Sequence, residues 1–311
     1  MSDNFPIIPG AAAALIAVAI SALLLTRRST PPITKKGERV VLLGGSAGIG
    51  RCIAHIYAKR GAKLLITSFN QYELDKVRAE CISLGADPDS VATFSMDLTS
   101  EPTIAATAQR AKEWMNGVDT LLINAGTISV MSFEDLIKAD ELTPGHSSKS
   151  IEGVFKINSI GPIIATKHFL PLLKETRGRL VVTSSTAGLT GAPTRSLYCA
   201  SKHAVQGFFD SLRIEIAHHG VSVGLVLPMT VNTNLRASAV DKVATPSATS
   251  APARKEKKLE PEDVAVEIVR CSDLRMRSMF VPWWAGYIAL ARALFPSFVD
   301  GVAARKYKFA A

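Results

Sequence analysis

From residue 39 onward, short apolar runs alternate with longer stretches in which apolar residues recur every three or four positions. Val40–Leu43, Leu64–Thr67, Val91–Ser95, Thr120–Ile123, Leu180–Ser184 and Val221–Val226 are four to six residues long and rich in β-branched or aliphatic side chains, which predicts strands. Between them, Gly50–Arg60, Gln71–Leu84, Thr103–Met115, Ser150–Leu173 and Leu197–His218 carry helical periodicity. Apolar strands separated by helices predict an α/β fold, a doubly wound parallel sheet covered on both faces. No internal repeat is visible.

The flanks break this rhythm. Ile7 to Leu25 is an uncharged run of 19 residues interrupted only by Pro9, Gly10 and Ser21, just reaching the roughly 20 residues a helix needs to span hydrocarbon. Asp3 precedes it and Arg27, Arg28, Lys35 and Lys36 follow. That order opposes a cleaved signal peptide and places the main domain on the cytosolic side of a single-pass transmembrane helix. The chain thus divides into a membrane anchor (1–28), a Pro-containing linker (29–38) and one domain (39–311). Within that domain, 236–260 reads as a mobile loop rich in Ala, Ser, Thr, Pro and Lys, after which Pro261-Glu262-Asp263 starts a helix. The segment 279–311 mixes aromatics with terminal basic charge, which fits either an interfacial or partner-facing segment or an ordinary hydrophobic C-terminal helix packed on the domain.

Composition narrows the function classes. The 311 residues are 47% hydrophobic and 20% charged, which excludes a disordered, collagenous or disulfide-stapled chain. Cys52, Cys81, Cys199 and Cys271 show no metal-ligand spacing, so no metal site is expected. The net charge of +9 is concentrated at the N-terminal flank, in the 251–260 loop and in the tail, a distribution suited to an anionic membrane surface rather than to nucleic acid.

Two motifs carry chemistry. Val40 to Leu43, then Gly44-Gly45-Ser46-Ala47-Gly48-Ile49-Gly50, reads as strand, glycine-rich turn and helix start. Glycines there allow backbone to approach a pyrophosphate that meets the positive end of the helix. The second strand ends Thr67-Ser68-Phe69-Asn70 without the acid that would bind ribose hydroxyls and repel a 2′-phosphate, so NADP is favoured over NAD. On a later helix, Tyr198 and Lys202 are four apart and share a face. A phenol needs such a cation nearby to act as acid or base near neutrality.

Taken in order, Gly44-x-x-x-Gly48-x-Gly50, Asn124-Ala125-Gly126, Ser184-Ser185, Tyr198-x-x-x-Lys202 and Pro228 to Thr233 resemble the short-chain dehydrogenase/reductase family over about residues 38–235. The resemblance implies a Rossmann-like fold and a nicotinamide cofactor. It assigns Tyr198 as the acid/base, Lys202 as the residue that lowers its pKa and binds the nicotinamide ribose, Ser185 as the hydrogen-bond donor to the substrate carbonyl, and Asn158 as support for a proton relay. It also places Gly44, Ser46, Gly48, Ile49, Gly50, Ser68, Asp97, Asn124, Ala125, Gly126, Val231 and Thr233 at the cofactor, with Tyr198 and Lys202 reaching it as well. Leu43 and Met229 depart from the family pattern, where Thr and Gly are usual, without removing a catalytic group.

The anchor, the Leu84-Gly85-Ala86 segment, the run from Tyr198 to Phe209 and the aromatic tail are similar to the membrane-anchored branch that includes 11-beta-hydroxysteroid dehydrogenases. That branch implies a steroid, retinoid or similar lipophilic ketone, aldehyde or alcohol, generally with NADP, at the endoplasmic reticulum or a lipid droplet. Its lumenal members conflict with the charge order here, which keeps the domain cytosolic. Two alternatives are a keto-lipid reductase of 3-ketosphinganine type and a cofactor-binding membrane scaffold. The family commonly dimerises through the helices expected at Ser150–Leu173 and Leu197–His218.

Overall fold

A computed structural model describes residues 36–242 and 258–309. The expected membrane span, most of the linker and the middle of the 236–260 loop lie outside the described residues.

Seven strands form one sheet: β1 (Arg39–Leu43), β2 (Lys63–Ser68), β3 (Val91–Ser95), β4 (Thr120–Ile123), β5 (Arg179–Thr183), β6 (Ser222–Pro228) and β7 (Ser278–Val281). Their spatial order is β3-β2-β1-β4-β5-β6-β7, and every pairing is parallel. The chain winds outward from β1 in one direction, then returns to the other side at β4. This is the Rossmann-like arrangement.

The pleat sorts the strand side chains between two cores, because successive residues point to opposite faces. Val40 and Leu42 pack with α1 (Gly48–Lys59), α2 (Gln71–Ser83) and α8 (Pro261–Asp273) through Ile53, Leu74 and Ile268. Val41 and Leu43 pack on the other side with α3 (Glu101–Met115), α6 (Gly161–Thr176) and α7 (Ser196–Glu215) through Ile104, Phe169 and Phe209. Both faces are covered, which is why the strands lack polar alternation. Phe169 and Phe209 are fully buried, and truncating either to Ala would cost about 3–5 kcal/mol.

Several elements differ from the sequence expectation. The helix expected at Ser150–Leu173 begins earlier, as α5 (His146–Phe155), and passes through one wide π turn at Lys156–Ile160 before α6. A further helix, α4 (Phe133–Leu142), starts where the Ser132 side chain accepts a hydrogen bond from the Asp135 N–H at 3.1 Å. The segment 279–311 is not uniform in structure: its first residues complete β7, with Met279 paired to Val226. A short 3-10 turn at Trp283–Ala285 then leads into α9 (Gly286–Leu294) and α10 (Pro296–Tyr307). Among the described residues no single helix is long and apolar enough to cross a membrane.

At the N-terminal edge of the sheet, Arg179 and Glu38 form an ion pair with both side chains 2% exposed. Thr120 Oγ1 donates to Glu38 at 2.6 Å, and Asp273 beside them pairs with Arg60 at 2.8 Å. This network lies at the opposite strand ends from the residues that the sequence marks as chemical.

Candidate active site

Sequence-marked residues gather where β1, β4, β5 and β6 end, at the crevice created by the reversal of strand order between β1 and β4. The glycine loop leaves β1 with Gly44 at φ +88°. A Cβ on Gly44 would fall 2.5 Å from the Ala125 nitrogen, and one on Gly50 would fall 1.9 Å from the Gly44 oxygen. No side chain fits at either position. Asn124 Nδ2 donates to that same Gly44 oxygen at 2.9 Å, while the Asn124 and Ala125 N–H groups both reach Leu43 O at 2.9 Å. The asparagine therefore ties the loop to the end of β4. Thr183 Oγ1, on β5, donates to Asn124 Oδ1 at 3.1 Å, extending the tie to a third strand.

Helix α1 starts immediately after this loop. Its N-cap residue, Ala47, offers no side-chain acceptor, and its first turn contains no acid. The orphan N–H groups are thus available to an external anion. Gly48, at φ +51°, faces Thr233, whose Cγ2 would lie 3.1 Å from an added Cβ, so bare backbone lines the opening between loop and Thr233. A cradle kept free of side chains, beneath an uncapped helix start, fits a dinucleotide pyrophosphate. Ser46 Oγ donates to Ser68 Oγ at 2.8 Å, joining the loop to the end of β2. Phe69 beyond it is 80% exposed, and no acid stands at this strand end.

The remaining cofactor candidates sit at the rim. Asp97 is exposed and accepts from the Thr99 N–H and hydroxyl, both at 2.8 Å. Val231 forms a parallel bridge with Leu259, which fixes the strand extension carrying Thr233. Ile49 packs against the core shared by α1, α2 and α8.

Helix α7 brings Tyr198 and Lys202 together. Lys202 is 5% exposed, and its Nζ donates to Thr183 O at 3.0 Å; burial lowers its pKa to about 8. The ammonium lies 5.9 Å from the centre of the Tyr198 ring. Burial pushes the Tyr198 phenol above its ordinary pKa, opposed by the neighbouring Ser185 hydroxyl. The sequence expectation was a depressed phenol. The difference has a physical cause: Lys202 directs its ammonium to the Thr183 carbonyl, and desolvation of the phenolate dominates. Ser185 Oγ also accepts from the Ala187 N–H at 3.2 Å. Ser184 next to it is buried and turned away, its hydroxyl without a hydrogen-bond partner.

Asn158 lies in the π turn between α5 and α6, and such turns recur at functional sites. Its side chain is buried beside Gly126, where an added Cβ would meet Asn158 Oδ1 at 3.3 Å and Lys202 Nζ at 3.7 Å. Three residues that sequence reasoning passed over complete the network: Thr127, Thr183 and Ser201. Their only sequence signal is adjacency to the motifs, since a buried hydroxyl in a helix or strand resembles any other.

The short chain dehydrogenase family model matches residues 38–244, and the chain belongs to the short-chain dehydrogenase/reductase family. It is an oxidoreductase acting on CH–OH donors, a class served by a nicotinamide nucleotide. Among curated relatives, it is 33% identical over 277 residues to hydroxysteroid 11-beta-dehydrogenase 1-like protein A of Xenopus laevis, covering 87% of each chain. It is 29% identical to human estradiol 17-beta-dehydrogenase 11 over 274 residues, 87% of this chain and 83% of the relative. A short chain dehydrogenase/reductase of Burkholderia phymatum, solved in complex with NAD, shares the fold with a TM-score of 0.73 at 22% identity, over 85% of this chain and 95% of that one. An archaeal alcohol dehydrogenase of Thermococcus sibiricus, complexed with 5-hydroxy-NADP, gives a TM-score of 0.65 at 23% identity over 79% and 96% of the two chains.

Proposed function

We propose that this chain is a membrane-anchored, NADP(H)-dependent oxidoreductase that interconverts a hydrophobic ketone or aldehyde and the corresponding alcohol. The observation that carries the reading is the convergence of Ser185, Tyr198 and Lys202. The Tyr198 phenol, close enough to Ser185 for that hydroxyl to oppose the effect of burial on its pKa, stands beside a buried ammonium held 3.0 Å from Thr183 O, next to a glycine cradle that fits a dinucleotide.

A bound nicotinamide supplies the hydride. Tyr198 exchanges the proton at the substrate oxygen, and Ser185 beside the phenol donates to that oxygen and polarises the carbonyl. Lys202 brings positive charge to the phenol as it deprotonates and reaches toward the nicotinamide ribose. Asn158 holds the Thr127 main chain and Ser201, which keeps the relay side of the site in register. Gly44, Ser46, Gly48, Ile49 and Gly50 take the pyrophosphate, Ser68 the adenosine ribose region and Asp97 the adenine side. Asn124, Ala125 and Gly126 brace the floor, while Val231 and Thr233 meet the nicotinamide amide.

NADP preference rests on Ser68, Phe69 and Asn70, which leave the end of β2 without a carboxylate to repel a 2′-phosphate. A lipophilic substrate, with steroids and retinoids foremost, is supported by relatives named for hydroxysteroids and estradiol. The uncharged run Ile7–Leu25 with its basic C-terminal flank supports single-pass anchoring at the endoplasmic reticulum or a lipid droplet, with the domain cytosolic. We take the chain to pair as a homodimer through Ser150–Leu173, which spans the end of α5, the π turn and α6, and through Leu197–His218, mostly α7; α7 exposes Ile214 at 74%.

The test is nicotinamide absorbance with NADPH and NADH against steroid ketones, retinal, medium-chain aldehydes and a keto-sphingoid base, alongside Tyr198→Phe. Tyr198-dependent turnover of a lipophilic carbonyl with NADPH is expected. Nucleotide binding without any Tyr198-dependent turnover would favour a scaffold, and faster turnover with NADH would remove the NADP assignment.

A further inference from the structure

Two arginines stand beside the crevice without an ion-pair partner among the described residues. The segments that leave β4, β5 and β6 for the crevice, residues 124–131, 184–202 and 229–238, contain Arg195, Lys202 and Arg236 and no Asp or Glu. Lys202 is held at Thr183 O, whereas the two arginines have no part in the reading above. Arg195 is the N-cap residue of α7, one turn before Tyr198, and is half-buried. Its Nη1 is shared among Val130 O at 3.0 Å, Thr194 O at 2.8 Å and Thr194 Oγ1 at 2.7 Å. Those contacts fix the guanidinium and hold Thr194 at φ +61°, a conformation that a β-branched residue seldom adopts. The other edge of the fork, Nε with Nη2, has no hydrogen-bond or ion-pair partner among the described residues. Elsewhere in this molecule that edge grips a carboxylate: Arg39 Nε and Nη2 reach Asp119 at 2.9 and 2.7 Å, and Arg51 Nε and Nη2 reach Glu80 at 2.7 Å each. A planar fork fixed on one side and open on the other suits two parallel hydrogen bonds to an oxyanion.

Arg236 comes from the third segment. It lies in the 3-10 turn Asn234–Ser238, directly after Thr233, and its side chain is exposed. Thr127 Oγ1 donates to Ser238 O at 3.2 Å and the Val240 N–H donates to Ile128 O at 3.1 Å, so this turn is stitched to the same segment that holds Arg195. The two cations act on each other: burial first, and then the Arg236 charge, hold the Arg195 guanidinium below its ordinary pKa. Tyr307 and Asp241 oppose that effect. Asp241, however, is fully buried and gives its Oδ2 to the Val130 and Met131 N–H groups, both at 2.7 Å. Among the lesser influences on the Tyr198 phenol is the Arg195 charge, which places this guanidinium within electrostatic reach of the reacting oxygen. Like charges that converge without an ion pair repel, and an anion between them removes the repulsion.

We propose that Arg195 and Arg236 form a subsite for an oxyanion, so that the lipophilic carbonyl compound turned over at Tyr198 carries a carboxylate or phosphate group. This rests on the reading of Ser185, Tyr198 and Lys202 as the catalytic groups and narrows the substrate class of that reading. It disfavours a keto-sphingoid base, whose ammonium would meet two guanidinium groups.

Binding is measured first, because it needs no turnover. Full-length Tyr198→Phe protein, saturated with NADPH in neutral detergent micelles, is titrated with a long-chain alkanoate and with the alkyl phosphate, alcohol and amine of the same chain. The alkanoate or the phosphate should bind roughly tenfold or more tightly than the alcohol, and the ratio between those two names the group. Arg195→Met and, separately, Arg236→Met should abolish most of that preference while leaving NADPH affinity unchanged. Arg195→Lys should restore only part of it, since an ammonium lacks the fork. Arg236→Met alters an exposed side chain, so a preference lost there is not a loss of fold. Equal binding of alkanoate, phosphate and alcohol would overturn the proposal, as would a preference that survives in both Met variants. A fall in NADPH affinity in either variant would also overturn it, assigning that arginine to the nucleotide. Turnover of a long-chain keto acid and of its methyl ester by the wild type separates the two readings. Tyr198-dependent turnover of both at equal kcat/KM sinks the subsite and keeps the reductase. Oxyanion-selective binding without any Tyr198-dependent turnover keeps the subsite and sinks the catalytic reading.

Discussion

Asn158 grips the main chain of Thr127 at both polar groups: its Oδ1 accepts from the Thr127 N–H at 2.8 Å and its Nδ2 donates to the Thr127 carbonyl at 3.0 Å. The same Nδ2 donates to Ser201 Oγ at 3.0 Å, and Ser201 Oγ donates to Tyr198 O at 2.8 Å. One side chain thus spans the segment after β4 and the helix that carries the phenol.

Asn158→Ala should therefore destabilise the fold by about 1–3 kcal/mol, because it leaves a buried N–H and C=O without partners. Turnover should fall further than nucleotide affinity. Denaturant titration together with nucleotide binding separates the two effects.

Tyr198→Phe removes only the hydroxyl. The expected result is a loss of turnover of roughly 10²–10⁴-fold, with nucleotide affinity little changed. A comparable loss of nucleotide affinity would show that the phenol acts in binding instead.

Lys202 gives the protein a pH signature. Burial lowers its pKa from 10.5 to about 8, so between those values the unfolded chain holds a proton that the folded chain has released. Stability rises with pH through that window, and the contribution is lost below it. Relative to Lys202→Met, measured without added nucleotide, the wild type should gain on the order of 3 kcal/mol across the window. A flat difference between the two proteins would show that the lysine is solvated.

Gly50→Ala probes the cradle. The added methyl would lie 1.9 Å from Gly44 O and 2.9 Å from Asn124 Nδ2, so backbone must move. A stability loss of about 1–3 kcal/mol and a marked loss of nucleotide affinity are expected from thermal melts and titration.

Arg179→Met tests the network at the far edge of the sheet. Glu38 would keep the Thr120 hydroxyl but lose its buried counter-charge, at a cost of about 3–5 kcal/mol. Turnover per folded molecule should be unchanged, since no residue of the crevice touches this network.

Much of this was legible in the chain because a buried parallel strand leaves a compact apolar signature: β3 and β4 begin and end at the residues the pattern marks. The Tyr198 helix and the glycine loop were legible because their chemistry fixes spacing. What escaped was set by tertiary context. β7 has only four residues and follows a helix without a long apolar run, so it merges with the aromatics beyond it. The π turn at Lys156–Ile160 sits inside continuous helical periodicity, and nothing in Lys-Ile-Asn-Ser-Ile signals a widened turn. The raised phenol pKa depends on where the Lys202 ammonium points, which spacing along a helix does not determine.

The sheet also sets an order of events during synthesis. β1 is made first yet lies between β2 and β4, and its pairing of Val40 with Thr120 closes 80 residues of chain, an entropic cost met before the contact is rewarded. A nascent chain that has emerged as far as Ile123 carries the glycine loop and four strands, while Ser185, Tyr198 and Lys202 do not yet exist. At ordinary translation speeds the interval before Lys202 emerges in its turn lasts about 4–16 s. Until β5 emerges, the nucleotide half can assemble with the edge of β4 unpaired, an apolar border for a chaperone to cover.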